Sequence, residues 1–263
     1  MAQVQFEWPT VVGLAQSVGA YCAHLLAPNA DVYTYEGTNS WLLGGSPGGQ
    51  CIVIDPGSAS SQHLHAILQA ATSRQWTIRA VVATHRHDDH TSGALTLART
   101  AEVEYFTFGG DADSSPVRHG QIIDLDGNAV EVLHTPGHTD DSISFRSLKD
   151  QLVVTGDTVL EKRSSAVYGN LRDYFETLSF LDSVSDQSGT RFLPGHGPII
   201  DNPRTVIARV AEIRKRRLAQ IAELKKSGIR TVGEITDRLY PRIEADRRLD
   251  AEEYVSSNLE YLQ

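Results

Sequence analysis

Cysteine is scarce in this chain of 263 residues, with only Cys22 and Cys51, and neither belongs to a CxxC pair. A disulfide framework and a cysteine-built metal knuckle are therefore both excluded, and two small buried hydrophobes in a reducing, cytoplasmic setting are expected. No apolar run approaches the ~20 residues that a membrane span needs. Met1-Ala2-Gln3-Val4-Gln5-Phe6-Glu7 lacks the basic start and apolar core of a secretion signal. Aromatics make up only 7% of the chain and do not interleave with its basic residues, so no base-stacking platform is evident. Internal repeats and low-complexity tracts are also missing. With 40% hydrophobic and 22% charged residues, the chain has the composition of a folded protein. Its length suits one large domain, or one domain with a small appendage.

Histidine, by contrast, is concentrated. His85, His87 and His90, with Asp88 and Asp89, fall within six residues, straight after the apolar run Ala80-Val81-Val82-Ala83. This is the layout of a metal site at the end of a buried strand. A compact set of imidazole and carboxylate ligands suits Zn²⁺ best, with Mn and Fe as lesser options. Three further motifs repeat the scheme of strand, tight turn and ligand: Thr135-Pro136-Gly137-His138, Thr155-Gly156-Asp157 and Leu193-Pro194-Gly195-His196. Rigid strands hold such ligands well, and glycine lets the backbone come close to the site. Each motif is weak singly, but four in this order form a constellation. Thr84, Asp88, Thr139 and Asp141 are candidates to orient the imidazoles.

These residues resemble the metallo-β-lactamase superfamily across roughly residues 30 to 200. The resemblance implies an α+β fold, a four-layer αββα sandwich with metals at one edge. By carry-over, His85, His87 and His138 hold one ion, Asp89, His90 and His196 hold a second, and Asp157 bridges the two. Two ions ~3.5–4 Å apart share a hydroxide as nucleophile, because each lowers the pKa of water from about 15.7 towards ~7. The resemblance thus implies a metal-dependent hydrolase with two Zn²⁺, in which Asp89 and Asp157 are the expected catalytic carboxylates. A true β-lactamase of the superfamily carries a cysteine or no acid at the Asp157 position, so β-lactam hydrolysis is not expected.

Elsewhere, strands are predicted at 32–35, 40–43, 51–54, 104–108, 122–125, 130–134, 142–145, 152–154 and 191–193, with short edge pieces at Val11-Val12 and Leu25-Leu26. Helices are predicted at 61–71, 91–99 and 173–184. After Pro203 the character changes. The predicted helix 205–227 ends at Gly228, a second opens in the capping-box pattern Thr231-Val232-Gly233-Glu234, and a third covers 250–262. A catalytic domain at 1–203 and a helical domain at 204–263 are expected. That tail resembles the winged-helix-like appendage of one branch of the superfamily, with no counterpart of its two-stranded wing before Gln263. The branch contains a single-strand endoribonuclease and fungal thioesterases that release polyketides from carrier proteins. Helical tails of this kind pair subunits in some proteins, so a homodimer is compatible with the sequence.

Charge separates the two functional expectations. Residues 204–230 hold nine basic residues against Glu212 and Glu223, a net of +7, which leaves −16 on the rest of a chain of net charge −9. The first expectation is hydrolysis of a small or carrier-bound acyl substrate through an ester, thioester or lactone. The alternative is an endoribonuclease or other phosphodiesterase on single-stranded RNA, whose phosphates need clustered Lys and Arg. The substrate mouth is expected to be lined by 36–40, 161–174 and the start of the tail, with Asn39, Tyr168 and Tyr174 as polar contacts.

Overall fold

The computed structural model describes Trp8 and residues 10–263; the leader reading of residues 1–7 lies outside the described residues. Seven strands form a first sheet in sequence order: β1 (Gln16–Ser17), β2 (Cys22–Leu26), β3 (Asn39–Gly44), β4 (Gln50–Ile54), β5 (Thr77–Val82), β6 (Glu104–Phe108) and β7 (Ser115–Val117). It is antiparallel as far as β4 and parallel from β4 to β7. Five more strands follow: β8 (Ile122–Asp124), β9 (Ala129–His134), β10 (Ile143–Ser147), β11 (Leu152–Gly156) and β12 (Arg191–Pro194). They form a second sheet ordered β12-β11-β10-β9-β8, in which only β11 and β12 run parallel.

Alternation along the strands builds the layers, because successive side chains point to opposite faces. Trp41, Leu43, Ile52, Ile54 and Val82 meet Val130, Val132, Phe145, Val154 and Leu193 between the sheets. Their neighbours Leu42, Val53 and Val81 face outward onto Leu64 and Ile67 of α1 (Ser61–Ser73). The short α2 (Asp88–Thr91) follows β5, and Leu97 of α3 (Ala94–Ala101) joins the same outer cluster. On the opposite side, Val153 and Phe192 pack against Tyr174, Leu178 and Leu181 of α4 (Leu171–Val184). The result is helix, sheet, sheet, helix, as expected. Strands with both faces covered read as continuous apolar runs, which explains Cys51–Ile54 and Ala80–Ala83.

The tail is helical. Val206, Ile207 and Val210 of α5 (Pro203–Lys226) join the α4 cluster, while Ile221 further along makes a small separate cluster with Ile235 of α6 (Val232–Leu239) and Val255 of α7 (Arg248–Tyr261). The capping box forms as predicted, with Thr231 and Glu234 each bonding the other's backbone N–H.

Four local predictions need correction. Residues 32–35 form turns, because Asp31 Oδ1 accepts the N–H groups of Tyr33 (2.6 Å) and Thr34 (2.8 Å) and curls the chain. The helix predicted at 91–99 is split into α2 and α3 at Gly93, whose N–H donates to the Pro56 carbonyl at 3.0 Å. Leu25-Leu26 lies in the fully buried β2 rather than at an edge, whereas the exposed Val11-Val12 forms no strand. The edge strand β7 went unforeseen because it carries Pro116, which lacks a donor and suits only an edge.

Candidate metal centre

Five strand ends converge on one point. The chain leaves the carboxyl ends of β4, β5, β9, β11 and β12 into Asp55, the His85–His90 segment, His138, Asp157 and His196. Three groups of side chains capable of holding a cation result: His85, His87 and His138; His85, His90 and Asp157; and Asp89, His90 and His196.

The first group is a triangle of imidazole nitrogens. His87 Nδ1 lies 2.9 Å from His85 Nε2 and 3.1 Å from His138 Nε2, and the last two are 3.2 Å apart. Their tautomers follow from the partners behind them. His138 Nδ1 faces the Ala166 carbonyl at 2.9 Å, and a carbonyl only accepts, so this nitrogen carries the proton. The Thr84 hydroxyl donates to Asp55 Oδ2 at 2.7 Å and so accepts from His85 Nδ1 at 3.0 Å. His85 Nε2 and His138 Nε2 are therefore both bare lone pairs facing each other. Protonation does not relieve them: burial, with His90 and His138 nearby, holds His85 well below the usual imidazole range. Burial likewise pushes His138 down to about 4. A cation between the lone pairs removes the conflict, so the donor set fits a metal ion of the zinc type.

The second group is richer in carboxylate. His90 Nδ1 donates to Asp55 Oδ2 at 2.9 Å. His90 Nε2 is buried without a hydrogen-bond partner, 3.5 Å from Asp157 Oδ1, which is equally orphaned, and 3.6 Å from Asp89 Oδ2. His196 Nε2 lies 3.1 Å from Asp89 Oδ2 and 3.3 Å from Asp157 Oδ2. Burial opposes the charged forms of His90 and His196, but the carboxylates outweigh it. Asp55 and Asp157 raise His90, and Asp157 with Asp89 lifts His196 to about 10. Conversely, burial opposes ionisation of Asp157, yet His196 and His90 hold it well below the usual carboxylate range. A pocket that draws protons onto two imidazoles has surplus negative charge and fits a second cation. Asp157 also reaches the first group, 3.9 Å from His138 Nε2.

Asp55 is the residue that the sequence reading missed. It is fully buried, and it accepts from the Thr84 N–H (2.7 Å), the Thr84 hydroxyl (2.7 Å) and His90 (2.9 Å). One carboxylate thereby orients an imidazole in each group. Its only signal was an acid ending an apolar strand before Pro56-Gly57. Gly195 has no room for a side chain, since a Cβ there would lie 2.4 Å from Asp157 Oδ1 and 2.6 Å from His90 Cε1.

Of the four candidates to orient the imidazoles, Thr84 touches His85. Asp141 instead pairs with Arg86 at 2.9 Å, Thr139 bonds Ser142, and Asp88 lines the cavity above. That cavity, of about 1290 Å³, opens over His87, Asp89, His138, Asp157 and His196. Its walls are 31–34, 160–168, the middle of α5, and residues 240–254. The expected 36–40 segment is replaced by 31–34. Tyr168 does line the cavity, its ring edge-on to His87 at 5.5 Å and His138 at 5.7 Å. Asn39 and Tyr174 are corrected to internal ties. Asn39 donates to the Pro194 and Gly197 carbonyls, both at 2.9 Å, and so staples the His196 turn. Tyr174 is fully buried and donates to the Thr158 carbonyl at 2.9 Å.

The basic helix is also placed. Arg204 meets Asp182 and Asp186, Arg209 meets Glu161, Arg214 is buried, and Arg217 lies over the Tyr240 ring. These four do not form an open phosphate-facing stripe.

Comparison with known proteins agrees with this geometry. The family model described as the metallo-beta-lactamase superfamily matches residues 33–118 and 108–196. The chain is 30% identical over 227 residues to an atrochrysone carboxyl ACP thioesterase of Passalora fulva, a match covering 84% of this chain and 65% of that protein. It is 30% identical over 235 residues to a beta-lactamase-like protein 2 homolog of Drosophila melanogaster, covering 82% and 76%. Among solved structures, a beta-lactamase domain protein from Burkholderia ambifaria shares the fold with a TM-score of 0.79 at 19% identity, over 97% of this chain and 90% of that one.

Proposed function

This chain belongs to the metallo-beta-lactamase superfamily and is a metal-dependent hydrolase, and we propose that it uses two zinc ions to cleave an acyl thioester or a related ester or lactone. The observation that carries this reading is the pair of bare imidazole nitrogens of His85 and His138, 3.2 Å apart, the second lining a cavity of about 1290 Å³. The named thioesterase at 30% identity supports the acyl class. His85, His87 and His138 would hold one ion, Asp89, His90 and His196 the other, and Asp157 would face both. Bound there, the ions supply a water acidified from about 15.7 towards ~7 and a Lewis acid for the scissile carbonyl.

The chain's own residues do the rest. Burial works against ionisation of Asp89, but the hydrogen bond from His196 prevails, so its carboxylate is charged at neutral pH. With its side chain 30% exposed at the cavity floor, it would help hold the second ion and could accept a hydrogen bond from the water that the ions would supply. Asp157 holds no proton and so would be ready to face both ions. Tyr168, edge-on to His87 and His138, offers a wall against which the substrate can lie. The leaving group favours a thioester over an alkyl ester, because a thiol of pKa about 8.5 departs as its anion without a general acid.

The acyl substrate is small or borne on a carrier, and the helical unit 204–263 roofs its cavity. Among the described residues no helix is long and apolar enough to cross a membrane. Cys22 and Cys51 are buried free thiols, consistent with the reducing cytoplasm proposed as the setting.

The test is a paired assay on protein of verified metal content, with thioesters, lactones and a labelled single-stranded RNA, each against an Asp157→Ala control. Acyl cleavage that vanishes in the control is expected. RNA cleavage that vanishes in the control, without acyl cleavage, would overturn the reading.

A further inference from the structure

One wall of the cavity carries positive charge that no described acid balances. Arg214 of α5 is 2% exposed, a rare state for a guanidinium without a counter-ion. Its Nη2 donates to the Ser165 carbonyl, and its Nε and Nη1 have no hydrogen-bond partner. The group is clasped between aromatic faces, 5.4 Å from the Tyr174 ring centre and 4.9 Å from that of Tyr254. One helical turn further on, Arg217 is half-buried on the same cavity wall, 4.8 Å from the Tyr240 ring centre. Among the described side chains no carboxylate lies within ion-pairing distance of either arginine.

Of the cavity's six acids, Asp88 and Glu244 pair with neither arginine, and the other four are engaged elsewhere. Asp89 and Asp157 face the histidines, Asp31 caps its own turn, and Asp250 accepts from Tyr33 at 3.0 Å. The other arginine near the floor, Arg163, donates to the Val32 and Tyr33 carbonyls. Arg214 also lies close to the reacting end: the Ser165 whose carbonyl it holds presents its hydroxyl 3.1 Å from His138 Nδ1. A desolvated cation without an anion is costly, and a bound anion is what would complete it.

We propose that this wall is an anion subsite, where Arg217, backed by the buried charge of Arg214, holds a carboxylate or phosphate of the substrate while the scissile carbonyl lies at the histidine cluster. The inference rests on the hydrolase reading for its substrate class. An oxyanion group on the substrate has two sources: the acyl part, as a second carboxylate, or the thiol part, as the phosphate of a carrier arm. A charge-assisted contact of this kind discriminates by roughly ten- to a hundredfold.

The experiment compares two substrate pairs on the metal-loaded full chain. Succinyl and butyryl thioesters of N-acetylcysteamine probe the acyl side. Butyryl thioesters of 4′-phosphopantetheine and pantetheine probe the thiol side. At least one pair should show a ten- to hundredfold preference in kcat/KM for the anionic member, expressed mainly in KM. That ratio should fall towards one in Arg217→Gln, recover in part in Arg217→Lys, and shrink with added salt. The responsive pair identifies the source of the anion. No preference in either pair, or a preference that survives in both Arg217→Gln and Arg214→Gln, would overturn the subsite.

If no thioester is cleaved, the hydrolase reading fails separately, and calorimetric titration with succinate and inorganic phosphate decides the matter. Binding that is lost in Arg217→Gln would keep the subsite. Binding equal in wild type and variant, or none in either, would remove it.

Discussion

Asp55 offers the sharpest test of how the site is built, because its two oxygens carry different loads. Oδ1 accepts the Thr84 N–H, while Oδ2 accepts both the Thr84 hydroxyl and His90 Nδ1. Asp55→Ala leaves three buried donors without an acceptor. Removing one partner of a buried charged pair costs about 3–5 kcal/mol, and each further unsatisfied donor adds about 1–3 kcal/mol, less than additively. At ~2–4 °C per kcal/mol for a domain of this size, the melting temperature should drop by roughly 10–20 °C. Asp55→Asn is the more discriminating change. With its oxygen kept on the Thr84 N–H, its amide replaces Oδ2 by a donor. The Thr84 hydroxyl must then accept from it and turn its own proton towards His85 Nδ1. His90 Nδ1 must give up its proton as well. In both rings the remaining proton then sits on Nε2, the atom that faces the metal position. The Asp55→Asn protein should therefore fold nearly as well as wild type yet lose metal affinity by at least the ~10–100-fold typical of such supporting partners. Metal content after dialysis, measured by mass spectrometry beside a thermal melt of the metal-free protein, reads both effects. An Asp55→Asn protein that keeps wild-type metal stoichiometry and affinity would refute the tautomer argument.

Four further outcomes are expected. Gly195→Ala places a methyl 2.4 Å from Asp157 Oδ1 and 2.6 Å from His90 Cε1, so metal bound per chain should fall while the far-ultraviolet circular dichroism is unchanged; full occupancy would show that the turn yields freely. Metal binding should release protons unequally. His85 and His138 are already neutral, whereas His196, raised to about 10, must lose its proton at pH 7–8, so the second ion should displace about one proton or more and bind more tightly as pH rises towards 10. Calorimetry in buffers of different ionisation enthalpy counts them, and zero release would contradict the carboxylate-driven shift. Tyr174→Phe loses one buried hydrogen bond and should cost about 0.5–1.5 kcal/mol in denaturant unfolding without moving KM. Tyr168→Ala, which opens the cavity wall, should raise KM at little cost in stability.

The ligand cluster was legible because its signal is local. Each motif couples an apolar strand to a turn and a donor within about seven residues, so adjacency in sequence already implies the strand end on which the donor sits. Asp55 was not legible because its role exists only through contacts with Thr84 and His90, 29 and 35 residues away in the chain. Asn39 and Tyr174 misled for the same reason in reverse. Both are polar residues on segments expected to line the substrate mouth, but in each case a backbone carbonyl, invisible in a sequence, takes the side chain's proton. Residues 32–35 show local chemistry overriding composition: the pattern Val-Tyr-Thr-Tyr favours a strand, yet one aspartate before it satisfies two N–H groups and makes a turn.

The basic tail shows why net charge is a weak guide to partners. A run of arginines on an amphipathic helix reads as a solvated or phosphate-facing stripe only if the helix lies on the surface along its whole length. Here α5 is held on one side by α4, through Val206, Ile207 and Val210, and closes over the cavity on the other with Ile213, Arg214 and Arg217. The same helix therefore serves as scaffold and as wall, and its charge is divided by position. Arg204 and Arg209 tie it to acids on the catalytic body, Arg214 is enclosed by two tyrosines, and Arg217 is left facing the space where a substrate must pass. The side chains that could hold metal come from five strand ends, and hydrolysis is the chemistry they would serve. The space above them is lined by segments far apart in sequence, at 31–34, 160–168, 213–217 and 240–254, that meet only in the folded chain. Under the proposed anion subsite, variants at Arg214 and Arg217 should alter substrate choice more than any change among the metal-facing histidines.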